Sequence, residues 1–85
     1  MNELNDLRNQ INEIDDKIAE LLLERFAVVK NVAEYKKACG LEILQKNREA
    51  EVLKNIAGKT DNIEYKKYIL EIYEIILNTS KLSQQ

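Results

Sequence analysis

The sequence contains no histidine, proline or tryptophan, and it has only two glycines and one cysteine in 85 residues. Without histidine, the chain lacks the commonest general base and metal ligand, and a serine–histidine triad is excluded. The single cysteine, Cys39, cannot form a disulfide within the chain and offers no framework for zinc. An enzyme built on this chain must therefore work with cations, amides, hydroxyls and carboxylates.

Composition narrows the class of protein further. Residues 1–85 are enough for one small domain. The charged fraction of 33% is evenly mixed and leaves a net charge of −2, which argues against a nucleic-acid-binding surface. No stretch approaches the roughly 20 apolar residues of a membrane span, and no signal peptide opens the chain. We therefore expect a cytoplasmic protein that binds neither nucleic acid nor membrane.

The scarcity of turn residues favours an all-α fold with three helices and two connections. The apolar spacing predicts helices over Leu4–Ala38, Leu44–Ala57 and Asn62–Leu82. Asn2 or Asn5 is suited to cap the first helix, and Gly40 to end it.

The third helix has its own start signal and core pattern. Asp61 and Glu64 have the spacing of a capping box at its beginning. Five apolar residues give it a core-facing stripe. They are Ile69, Ile72, Tyr73, Ile76 and Leu77.

One long apolar stripe organises the first helix. Its positions recur at alternating steps of three and four residues, as on one face of a helix. They are Leu4, Leu7, Ile11, Ile14, Ile18, Leu21, Val28, Val32 and Tyr35. A helix of about 35 residues is a rod of roughly 50 Å, whereas a compact chain of this length has a radius of gyration of about 12 Å. Because the rod overhangs any globule that one chain can form, its stripe predicts an intertwined homodimer.

Polar residues occupy places in all three helices where the apolar pattern predicts apolar ones. They are Arg25, Lys36, Gln45, Arg48, Glu49, Ser80 and Gln84. A guanidinium at position 25, in the middle of the stripe, is unfavourable unless an anionic or polar group meets it. Arg25 and Lys36 are eleven residues apart and share a helical face within about 20°. Together these groups would suit a small dianion, a dicarboxylate that also carries a hydroxyl.

A structural interpretation of the same residues stands beside the functional one. Lys36 and Arg48, taken singly, resemble surface residues that bury only their aliphatic stems. Ser80 and Gln84 lie where chain ends are usually polar. Arg25 could pair with a carboxylate such as Asp15 or Glu49. Glu49 could instead pair locally with Lys46 or Lys54.

The joint spacing of these residues resembles the all-α chorismate mutases along nearly the whole chain. Leu7-Arg8, Ile14-Asp15 and Arg25, followed by Lys36, are similar to that family's long first helix. Arg48-Glu49 before Val52-Leu53 resembles its second helix, and Ser80 followed by Gln84 resembles the end of its third.

The resemblance implies the rearrangement of chorismate to prephenate on the route to phenylalanine and tyrosine, with no metal or cofactor. It also implies a role for each site residue. Arg25, together with Arg8 of the partner subunit, grips the carboxylates, and Arg48 helps to organise the site. Lys36 and Gln84 address the ether oxygen, Glu49 the ring hydroxyl, and Ser80 the ring carboxylate.

One position departs from the family, and two other functions stay open. Gln45 aligns with a residue that is commonly aspartate, so it can line the site but supplies no charge. The alternatives are an isochorismate pyruvate lyase, which is similar in fold, and a helical dimerisation or regulatory module without turnover.

Overall fold

The computed structural model describes residues 2–41 and 46–84, and it contains three α-helices. They are α1 over Glu3–Cys39, α2 over Lys46–Ala57 and α3 over Ile63–Ser83. The predicted all-α architecture is confirmed, and the predicted ends of α1 and α3 are correct to within one residue. The predicted start of α2 at Leu44 and the site residue Gln45 lie outside the described residues.

The ends of α1 follow the capping signals of the sequence. The Asn2 side chain accepts a hydrogen bond from the Leu4 N–H at 2.9 Å, which satisfies a backbone donor that the helix cannot pair internally. At the other end, Gly40 has φ +70°, a left-handed conformation that glycine adopts without the penalty of a side chain. The Leu41 N–H then donates to the Lys36 carbonyl at 2.8 Å, closing the helix end.

The capping box predicted for Asp61 and Glu64 is wrong by one residue. Asn62 caps α3, and its side chain accepts a hydrogen bond from the Tyr65 N–H at 3.0 Å. The Asn62 N–H in turn donates to Thr60 Oγ1 at 3.1 Å. Asparagine and aspartate are about equally good N-caps, so residue type alone does not decide between Asp61 and Asn62.

Helix α3 packs against both α2 and α1. Its Leu77 and Ser80 are buried together with Ala33 of α1. Ile72, which the sequence assigned to the core-facing stripe, is instead exposed. A single chain thus buries little apolar surface, and its small core lies where α3 meets the C-terminal half of α1.

The N-terminal half of α1 carries the predicted overhang. The molecule measures 59 × 26 × 16 Å, and its radius of gyration is 16.4 Å, well above the roughly 12 Å of a compact chain of this length. Six apolar side chains of this half are 49–62% exposed. They are Leu4, Leu7, Ile11, Ile14, Ile18 and Leu21. Within residues 2–41 and 46–84, no helix is both long and apolar enough to cross a membrane.

Candidate active site

A cavity of about 280 Å³ lies among the three helices, next to the buried part of α3. Helix α1 contributes Arg25 and Lys36, and α2 contributes Arg48 and Glu49. The remaining polar groups come from the C-terminal end of α3 and the residue after it. They are Ser80, Lys81 and Gln84.

The structure brings together six of the polar residues that the sequence placed in apolar rows. Arg25, Lys36, Arg48, Glu49, Ser80 and Gln84 all line this cavity. Gln45, the seventh, is outside the described residues. Arg8 is exposed on the N-terminal half of α1 and is not part of the cavity lining.

Arg25 is held by a short chain of hydrogen bonds. Its Nη1 donates to Ser80 Oγ at 2.5 Å, and that hydroxyl donates to the Ile76 carbonyl at 2.8 Å. Ser80 is only 5% exposed, so this contact fixes the guanidinium from inside the protein. The polar partner that position 25 requires is therefore a hydroxyl of α3, rather than the carboxylate of Asp15 or Glu49.

Glu49 makes its ion pair across the α2–α3 interface. Its Oε1 lies 2.8 Å from Lys81 Nζ, and both side chains are about one-third exposed. The two atoms are at hydrogen-bond distance, but Oε1, which is buried, accepts no hydrogen bond with acceptable angles within the described part of the chain. We interpret the contact as a charge pair. The sequence suggested Lys46 or Lys54 as a local partner; the observed pair instead joins Glu49 to α3, and the Lys46 side chain lies outside the described residues.

Lys81 is a lining residue that the sequence analysis missed. In α3, Ile76 is followed by Ser80 and Gln84 in steps of four residues. The neighbouring row of the same stripe runs Tyr73, Leu77, Lys81 with the same step. This spacing places Lys81 beside Ser80 on the inward face, although its pairing with Glu49 depends on how the helices pack.

Arg48 occupies the mouth of the cavity. Its Nη1 lies 3.3 Å from Glu51 Oε2, one helical turn further on, and both side chains are 69% exposed. The surface interpretation of Arg48 is thus correct for this conformation, while its position still lets it line the cavity. An exposed pair of this kind is worth little, so a bound anion can compete for the guanidinium.

Gln84 ends the wall on the α3 side. Its Nε2 donates to the Ser80 carbonyl at 3.4 Å, a long hydrogen bond. Its Oε1 is buried and accepts no hydrogen bond within the described residues. A buried amide oxygen without a hydrogen bond is uncommon in proteins and requires an explanation, which a bound ligand would supply.

The rest of the wall is apolar. Val28, Val29, Val32, Val52 and Leu77 face the same space. Among the described residues, 2–41 and 46–84, no group of three or more acidic, histidine or cysteine side chains is placed to hold a metal ion. The arrangement therefore offers an apolar floor for a carbon skeleton, with cations, one carboxylate, a hydroxyl and an amide around it.

Comparisons with known proteins place the chain in one family. The family profile described as chorismate mutase type II matches residues 7–85. A chorismate mutase from Methanocaldococcus jannaschii is 32% identical over 85 residues, which cover 98% of this chain and 85% of that protein. A bifunctional chorismate mutase/prephenate dehydratase from Buchnera aphidicola (subsp. Schizaphis graminum) is 34% identical over 86 residues. This match covers 99% of the chain but only 22% of the bifunctional protein.

The fold comparison covers almost the entire chain as well. The solved structure of a chorismate mutase (form II) from Thermus thermophilus superposes with a TM-score of 0.89. The two sequences are 21% identical, and the match covers 99% of this chain and 97% of that one. At this identity the superposition establishes the three-helix fold. The family profile and the relatives above establish more: the chain belongs to the chorismate mutase type II family.

Proposed function

We propose that this chain catalyses the rearrangement of chorismate to prephenate, the branch step toward phenylalanine and tyrosine. The observation that carries the proposal is the convergence of Arg25, Lys36, Arg48, Glu49, Ser80 and Gln84 on one cavity. These residues come from three separate helices, and they match the polarity of a hydroxylated dicarboxylate.

The reaction suits a site that has no histidine. It is an intramolecular [3,3] shift in which one carbon–oxygen bond breaks while a carbon–carbon bond forms. No nucleophile or proton transfer is required. The protein has to hold the folded diaxial conformer and stabilise the negative charge that develops on the ether oxygen.

Arg25 and Ser80 form the carboxylate-binding end of the site in this proposal. The hydrogen bond from Arg25 to Ser80 uses one of the five N–H donors of the guanidinium, which leaves others for a carboxylate. Because Ser80 is buried and anchored to the Ile76 carbonyl, the guanidinium is positioned before substrate arrives. Arg48, at the cavity mouth, would leave Glu51 and help to organise the site.

Lys36 and Gln84 are the proposed donors to the ether oxygen. Both line the cavity, Lys36 from α1 and Gln84 from the end of α3. The Gln84 amide donates one long hydrogen bond to Ser80, so it retains a second N–H for the substrate. The Glu49 carboxylate would accept a hydrogen bond from the ring hydroxyl. Gln45 would line the same end of the site without contributing charge.

A further cation of the proposed site is Arg8 from a second subunit. Arg8 precedes Arg25 by seventeen residues, or about 25 Å along the helix, so it cannot reach the cavity of its own chain. We propose a homodimer in which the exposed N-terminal stripe of α1 packs against a second copy. The partner subunit's Arg8 would then complete each cavity.

A direct assay tests the function. The purified chain is given chorismate, and the loss of chorismate is followed together with the appearance of prephenate. Turnover that is abolished by Arg25→Ala would support the proposal. A parallel assay with isochorismate distinguishes mutase from lyase, because the lyase would release salicylate and pyruvate. A folded chain that neither binds nor converts chorismate would exclude the proposed activity.

A further inference from the structure

Lys81 and Glu49 form a pair of opposite charges inside the wall of the cavity. Lys81 Nζ lies 2.8 Å from Glu49 Oε1, and both residues belong to the lining. The resemblance to the family assigns a role to Glu49 but none to Lys81. The cavity therefore contains a fourth cation of its own chain, beside Arg25, Lys36 and Arg48, that this assignment leaves without a function.

A carboxylate in this cavity creates an electrostatic problem. Among the described lining residues, Glu49 is the one acidic side chain, and the proposed substrate brings two carboxylates of its own. An uncompensated Glu49 would repel both of them, and a half-buried site screens such repulsion less than water does. The hydroxyl of the substrate nevertheless requires an acceptor, which is the property that Glu49 supplies.

We propose that Lys81 is a positioning residue that neutralises Glu49, so that Glu49 accepts the substrate hydroxyl without repelling the two carboxylates. The inference rests on the proposed function and adds a residue to the site. Because Lys81 and Glu49 cancel, the charges of Arg25, Lys36 and Arg48 remain available for the dianion. The contact also holds the Glu49 side chain against α3, beside Ser80.

The geometry of the Lys81–Glu49 contact supports separate roles for the two residues, with Lys81 balancing the charge and Glu49 accepting the hydrogen bond. The Lys81 ammonium contacts Glu49 Oε1, at 2.8 Å. A carboxylate has two oxygens, so Oε2 is left to accept the substrate hydroxyl while the charge is balanced.

The test compares KM and kcat for chorismate in four forms of the full chain. They are the wild type, Lys81→Met, Glu49→Gln and the double variant. Methionine keeps the length and packing of lysine but removes its charge. At a separation of roughly 6 Å and an effective dielectric constant of about 40, the repulsion between the Glu49 charge and one substrate carboxylate weakens the affinity for chorismate about tenfold. We expect Lys81→Met to raise KM by about that factor with kcat largely unchanged, because the repulsion acts equally on bound substrate and transition state.

The double variant distinguishes the effect of the unbalanced Glu49 charge from a structural effect of replacing Lys81. Glu49→Gln removes the charge that Lys81 balances, so KM of the double variant should fall below that of Lys81→Met. Lys81→Arg should retain the KM of the wild type. Lys67→Met makes the same substitution at an exposed site of α3 outside the cavity, and it should change neither constant. The melting temperature of every variant is measured alongside, and if Lys81→Met does not fold, Lys81→Gln replaces it.

The outcomes distinguish this inference from the function on which it rests. If the wild type neither binds nor converts chorismate, the proposed function fails and the role of Lys81 fails with it. If the wild type is active but Lys81→Met keeps its KM, only the role of Lys81 is overturned. An equal rise of KM in the single and double variants would also overturn it, since the charge of Glu49 would then be irrelevant.

Discussion

The two halves of α1 share one helical stripe, but they differ in what covers it. Between Leu4 and Leu21 the stripe is wholly apolar and about half exposed. Beyond Leu21 the same face includes Arg25 and Lys36 and lines a cavity with α2 and α3. The difference follows from length. Helix α3 has 21 residues, about 32 Å, and cannot cover the roughly 55 Å of the 37-residue α1.

The apolar stripe is suited to a different purpose in each half of α1. A continuous apolar stripe that its own chain leaves bare is suited to association with another helix. A stripe interrupted by cations, and enclosed by other helices, is suited to an anionic ligand. The proposed shared site depends on both halves, since the first brings Arg8 and the second Arg25.

A charge placed in the exposed apolar stripe of the N-terminal half of α1 should have the largest effect on dimerisation and activity. Ile14→Glu introduces a carboxylate into the middle of the apolar stripe, where a partner helix would have to bury it without compensation. We expect a monomer that retains helical structure but has less than about 1% of wild-type activity, because a monomer lacks one cation at each site. Sedimentation and chorismate turnover provide the two measurements.

Leu23→Glu is the matched control for that variant. It makes a similar change on the same helix, nine residues away and therefore on the opposite face. It should remain dimeric and active. A monomeric wild type at micromolar concentration, with a well-folded far-UV spectrum, would contradict the dimer itself.

Mixing two inactive variants tests whether Arg8 of one subunit and Arg25 of the other belong to the same site. Arg8→Ala and Arg25→Ala homodimers should each be nearly inactive, because every site lacks one cation. In a mixed dimer, one site receives both arginines and the other receives neither. Random reassortment makes about half the dimers mixed, so about a quarter of wild-type activity should return.

The mixing experiment requires evidence that subunits exchange. Tagged chains and native mass spectrometry can establish that mixed dimers form and that both variants fold. If mixed dimers form and activity stays at the level of the separate variants, Arg8 does not act in the partner's site.

The sequence predicted most of the architecture because the relevant signals are local. The apolar spacing of α1, the helix end at Gly40 and the cap at Asn2 or Asn5 each depend on residues a few positions apart; the structure confirms the first two and selects Asn2 as the cap. The cap of α3 was misplaced because Asp61 and Asn62 are both good N-caps. The contact of Asn62 with Thr60 was not read from the sequence.

Helical spacing predicted most of the polar residues that line the cavity, but not how their side chains pair. Helical spacing placed Arg25, Ser80 and Gln84 on inward-facing rows, and the cavity includes all three. The bond from Arg25 to Ser80 spans 55 residues, and the ion pair between Lys81 and Glu49 joins two helices. Such contacts depend on how the helices pack, for which one sequence carries no local signal.

The variant Lys36→Ala tests the chemistry of the C-terminal half of α1, and it does so more selectively than the mixing experiment. If Lys36 stabilises charge on the ether oxygen, Lys36→Ala removes an interaction that is strongest in the transition state. Losing one such donor typically lowers kcat by about 10²–10³. Lys37→Ala is the control, because Lys37 is exposed and rotated by about 100° on the same helix. A rise in KM alone for Lys36→Ala would show that this lysine only binds substrate.

The smallest effect on activity should come from Ser80→Ala, which removes one oxygen from the α3 side of the cavity. The hydroxyl fixes Arg25 before substrate binds, so its loss leaves the guanidinium charged but less constrained. A hydrogen bond to a charged group is worth roughly 1.5 kcal/mol or more, which corresponds to about a tenfold rise in KM. Ser83→Ala makes the identical change three residues later, outside the cavity lining, and should leave KM unaltered. Steady-state kinetics with chorismate provide the measurement. If both serine variants behave alike, the buried hydroxyl does not position Arg25, and the carboxylate-binding end of the site must be built from other groups.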